Sequence, residues 1–164
     1  MRWELHPRDK PGLLWAILRQ VSDLGASARI SLEGYLGETT LLDHPDAVLH
    51  ETEVLRRQGD AIPPTDFVVL PVTPGLIQIL KAKLGVSGAF MRCLLHAQIE
   101  VEGALVFGGY DRFHRQCVRA ASPITTTFLQ RLVENGVLRS YESDAQPGNA
   151  PDRQQPASPP VAGG

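Results

Sequence analysis

The sequence has few cysteines: Cys93 and Cys117 stand alone in 164 residues. Two are too few for a disulfide framework, and their spacing fits no zinc motif. Long apolar runs are missing as well. Nothing approaches the roughly 20 residues that span a bilayer. The opening MRWELHPRDK carries no apolar signal region. These absences predict a cytoplasmic protein with reduced thiols and no membrane partner. A phosphate loop is absent too, because Gly108-Gly109 is not followed by Lys and Ser/Thr. No internal repeat appears.

Charge of one sign is lacking in most of the chain. Residues 142–164 read ESDAQPGNAPDRQQPASPPVAGG, without a Leu, Ile, Phe, Trp or Tyr. Such a composition buries too little apolar area to offset its ordering entropy. The expectation is one domain over residues 1–141 and a disordered Pro/Gly-rich tail over 142–164. Setting aside Glu142, Asp144, Asp152 and Arg153 from 18 acidic and 16 basic residues leaves 15 of each. A neutral body argues against a nucleic-acid partner, which calls for a basic face. A body of this length buries roughly 68% of its unfolded surface, enough for a core without staples.

What is present is an alternation of strand and helix signals. Arg2 to His6 reads as a strand. Asp9 can cap a helix with Pro11 in its first turn. Leu14, Ile17, Leu18, Val21 and Leu24 form an apolar stripe, and Gly25 closes the helix. ARISLEGYL then alternates as a half-buried strand, with Gly34 marking a bulge or a close backbone approach. Gly37 to Asp66 is rich in turn formers, with a weak helix signal over 47–57. DFVVLPV reads as a central strand. Thr73-Pro74 opens a second helix to Leu84, stopped by Gly85. LLHAQIEVEGALVFGGYDRF is a hairpin. Ser122 and Pro123 are expected to open a last helix, ended by Asn135-Gly136, and VLRSY a last strand. The predicted class is α+β: a ferredoxin-like βαββαβ core with an irregular insert, an added hairpin and a C-terminal helix.

The strand, then Asp9-Lys10-Pro11-Gly12-Leu13-Leu14, an amphipathic helix, Gly25-Ala26 and a second strand resemble the start of an ACT domain, over residues 2–33. The resemblance implies a βαββαβ regulatory module that binds a small metabolite, often an amino acid, at a homodimer contact. It also implies that Asp9, Lys10, Pro11 and Gly12 face the ligand. The long insert and the added hairpin depart from that pattern. A glycine at a helix start is equally a plain turn residue.

The densest reactive stretch is GGYDRFHRQCVR, 108–119. Asp111, His114 and Cys117, three residues apart, would share one face if the stretch were a helical turn. They would then offer three metal ligands or a Cys–His pair. The plainer reading packs Tyr110 and Phe113, bonds Asp111 or His114 to backbone and leaves the arginines in solvent. Tyr110, Asp111, Arg112, His114 and Arg115 also suit a protein-docking surface of an inhibitor or immunity-type protein. The arginines equally suit a carboxylate or phosphate. Glu33 and Asp111 can pair only if the sheet joins them. His44, His50 and Glu51 in the insert have no metal spacing, and His6 and His96 are expected in solvent-facing or satisfied roles. The resulting expectation is a binding module without cofactor or metal rather than an enzyme, taking either a small metabolite or a protein partner.

Overall fold

The computed structural model describes residues 1–60 and 62–144. Seven strands make one antiparallel sheet: β1 (Arg2–Pro7), β2 (Ala28–Gly34), β3 (Asp66–Pro71), β4 (Leu94–Val101), β5 (Ala104–Gly109), β6 (Val118–Ala121) and β7 (Leu138–Ser143). Their spatial order is β3-β2-β4-β5-β6-β1-β7. Four helices join them: α1 (Lys10–Asp23), α2 (Pro74–Leu84), α3 (Ala89–Cys93) and α4 (Thr126–Glu134). The class is α+β. The order departs from the expected ferredoxin-like core, because three strands lie between β1 and β2 where a βαββαβ plan sets one. Among the described residues no helix is long and apolar enough to cross a membrane.

Local chemistry explains most helix ends. Asp9 Oδ1 accepts from the Gly12 amide at 2.9 Å, and Pro11 sits in the first turn of α1. Leu13, Leu14, Ile17, Leu18 and Val21 are fully buried, each contributing about 2 kcal/mol. Thr73 caps α2 through the Leu76 amide, as expected. The start of α4 differs from expectation. Thr125, not Ser122, is the cap, its hydroxyl accepting from Phe128 N, and Pro123 precedes the helix. Ile124 and Leu129, both buried, occupy the positions of a hydrophobic staple, which sets the entry three residues later. The α3 turn carried no recognised signal.

The main core lies between the helices and one sheet face, where Trp3, Leu5, Ile30, Leu32, Leu70 and Phe107 point. The insert covers part of the other face. No helix forms over 47–57. Val48 instead makes an isolated antiparallel bridge to Val69, and Leu55 packs with Phe67 and Val69 in a second small cluster. This explains two further differences. β3 is apolar from Phe67 to Pro71 yet lies at the sheet's end, because the insert substitutes for a covering layer. Ser31 and Glu33, expected in solvent, are buried under the insert. The Glu33 carboxylate accepts from Gln58 N (2.7 Å), Gly59 N (3.0 Å) and Thr65 Oγ1 (3.0 Å), pinning the insert to β2.

The β4–β5 hairpin turns at Glu102-Gly103, both with positive φ, as a primed two-residue turn demands. Gly34 is a close approach: a side chain there would strike the Cys93 carbonyl, and the β2–β4 register shifts beside it. Glu142 and Ser143, expected in the tail, belong to β7 and pair with β1. The remainder of the expected tail, 145–164, lies outside the described residues.

Candidate functional site

The segment 111–117 is not a right-handed helical turn. Asp111, Arg112 and Phe113 have φ of +47°, +52° and +57°. Three successive L-residues in the left-handed region cost roughly 1–2 kcal/mol each. Such strain persists only where surroundings over-determine it, and it concentrates at functional sites.

The surroundings do so here. Phe113 is completely buried, edge-on to Phe90 at 5.2 Å and beside Phe107 at 6.0 Å. Gly109 leaves the space its ring fills. The Asp111 amide donates to His96 Nδ1 (3.1 Å) and the Arg112 amide to Leu95 O (2.8 Å). Arg112 Nε donates to Met91 O at 2.9 Å. The Tyr110 amide reaches Cys117 O at 3.0 Å, closing the loop. The last clamp comes from a distant segment: Lys10 Nζ donates to Arg112 O at 2.8 Å.

That bond joins the two stretches that the sequence singled out separately. Beside it lies a cavity of about 520 Å³. His6, Pro7 and Lys10 form one wall, Phe113, His114 and Arg115 of the strained turn another, and Arg139, Ser140 and Glu142 of β7 the third. Arg115 and Arg139 are exposed, and neither joins an ion pair among the described residues. His6 Nε2 is buried and lies 3.5 Å from Glu142 Oε1, an ion-pair distance without hydrogen-bond alignment. In the sheet register Glu4 lies opposite Glu142, and it is already held by Arg119 at 2.7 Å. That partnership raises the Arg119 pKa further above its ordinary value.

The other predicted residues take structural parts. Asp9 is spent in capping α1, and Gly12 packs directly on its carboxylate, with no room for a side chain. Pro11 fills the first helical turn. Tyr110 is half-buried against Gly108, and burial raises its phenol pKa, partly offset by a hydrogen bond with Gln98. The exposed Asp111 reaches His96 only through its amide, and Glu33 is committed to the insert, so the two carboxylates do not pair. His114 Nδ1 sits 3.5 Å from the Gln116 amide. Among the described residues no three His, Cys, Asp or Glu side chains gather as metal ligands, so Asp111, His114 and Cys117 do not converge. His6, Arg139 and Glu142 were missed as a group. Only their neighbours across the sheet reveal them, and no spacing in the sequence does.

Comparison with known proteins found no matching family model, no matching curated protein and no matching solved structure.

Proposed function

We propose that this chain is a non-catalytic binding module that senses a small anionic metabolite in the cavity between Lys10, Arg115 and Arg139. The observation that carries this reading is the convergence itself. Lys10 from the start of α1, the strained turn and the edge strand β7 line one concave space. Its volume of about 520 Å³ falls within the roughly 300–1,000 Å³ usual for small-molecule sites. A sphere of that volume is about 10 Å across, near one Debye length at 0.1 M salt, so its cations act on a bound anion together. The strained backbone fits a pre-organised site, whose geometry is paid for at folding and not at binding.

The ACT resemblance of residues 2–33 points to the same loop, and support there falls on Lys10, because Asp9 and Gly12 serve the helix cap. Tyr110 and Arg112, the anchors of a protein-docking alternative, are engaged within the fold, the tyrosine ring lying over Gly108 and the arginine bonding to the Met91 carbonyl. Free thiols at Cys93 and Cys117 fit a cytoplasmic setting.

The test is thermal unfolding of the full chain against small carboxylates and phosphates at fixed ionic strength. Binding stabilises the native state by RT ln(1+[L]/Kd), about 2.7 kcal/mol at a hundredfold excess over Kd. At least one anion should raise Tm, and Arg139→Ala should cut the rise by half or more. A panel that shifts nothing, or shifts the variant equally, refutes the reading.

A further inference from the structure

We infer that the ligand of this cavity is an organic phosphate monoester, bound as a dianion; the inference rests on the cavity being the binding site. Three arguments carry it. The first is charge. Lys10, Arg115 and Arg139 face a single carboxylate, Glu142, inside the cavity. Glu4, the carboxylate next to Glu142 in the sheet, is neutralised by Arg119. Two positive charges remain without counting either histidine. A phosphate monoester, with its second pKa near 6, carries almost two negative charges at neutral pH. A monocarboxylate leaves one cation uncompensated.

The second is direction. The cations come from three separate segments: the first turn of α1, the loop two residues beyond the left-handed turn, and β7. A planar carboxylate is satisfied by one arginine fork. A tetrahedral group with three terminal oxygens takes donors from several sides. Lys10 spends one of its three N–H groups on Arg112 O and keeps two. The third is size. About 520 Å³ is several times what a phosphate fills, and Pro7 and Ser140 supply walls for the organic part.

The experiment is calorimetric titration of the full chain with phenyl phosphate, glycerol 3-phosphate, inorganic phosphate, succinate and benzoate, at matched ionic strength. It is repeated on Arg115→Gln and Arg139→Gln. Both arginines are exposed, so the variants should keep the urea midpoint of the wild type. The expected result is at least one monoester binding ten-fold or more tighter than succinate, benzoate and inorganic phosphate. Each variant should weaken it about ten-fold or more, the scale of a lost charged hydrogen bond. Succinate binding as well as the monoesters, and weakened by the same variants, overturns the phosphate assignment while the anion-binding reading stands. Inorganic phosphate binding as tightly as the esters overturns the organic part. Tight monoester binding untouched by either variant places the site elsewhere and overturns the inference. No binding of any probe by folded protein overturns both.

Discussion

Replacing Asp111 by alanine and by glycine tests the strained turn on which the cavity depends. Asp111 is exposed, has φ of +47° and uses only its backbone in hydrogen bonds. Neither substitution therefore removes a side-chain hydrogen bond or ion pair, and the comparison isolates backbone preference. Alanine in the left-handed region costs roughly 1–2 kcal/mol. Glycine avoids that cost but loses about 0.4–1 kcal/mol through the greater freedom of its unfolded chain. The balance favours Asp111→Gly over Asp111→Ala by about 0.5–1 kcal/mol. In a domain of this size that is about 2–4 °C in Tm. The control is Gln78, exposed in the middle of α2. There the order reverses, with glycine about 1 kcal/mol below alanine. Urea unfolding of the four variants gives both differences. An Asp111→Ala protein as stable as Asp111→Gly, with the Gln78 pair behaving normally, refutes the left-handed turn and the pre-organisation built on it.

Two further outcomes follow from buried groups away from the cavity. Glu33→Gln keeps the shape of a side chain that is 2% exposed but replaces one acceptor oxygen by an NH2 donor that faces an N–H or O–H donor. It should cost about 1–3 kcal/mol. Hydrogen exchange should speed up over residues 48–60 while α1 and α2 stay protected; uniform acceleration would show that the insert is not a separate unit. Tyr110, whose pKa burial raises, should ionise above the usual tyrosine range in an absorbance titration. A raised folded pKa means stability is intact below the unfolded value near 10 and is lost as pH climbs through the folded one. Tyr110→Phe should remove both the late ionisation and that part of the alkaline loss. A titration curve that loses no late phase in Tyr110→Phe would contradict the burial.

The sequence by itself determined the elements whose causes are local. Asp9 with Pro11, and Thr73 with Pro74, set helix starts because a side-chain oxygen two or three residues away satisfies a free amide. Gly25, with φ of +65°, and Gly103, with φ of +79°, were legible for the same reason, since the required backbone conformation selects the residue. The alternation in ARISLEG fixed which residues face the helices, but not that the other face would be covered. Only the tertiary structure decided that. Leu55 packs on β3 and Val48 bridges to it across an insert with no periodicity, and the cover they hold in place turns Glu33 from a surface residue into a pin.

Strand order was likewise undetermined, because an antiparallel sheet admits many orders with one set of inward faces. The turn at 111–113 reverses what local preference predicts. Three non-glycine residues are held left-handed by Phe113 burial and by Lys10, 102 positions away from Arg112. The cavity has the same origin. Lys10, Arg115 and Arg139 share no spacing, and they line one cavity only because the start of α1, the loop after β5 and β7 fold around it.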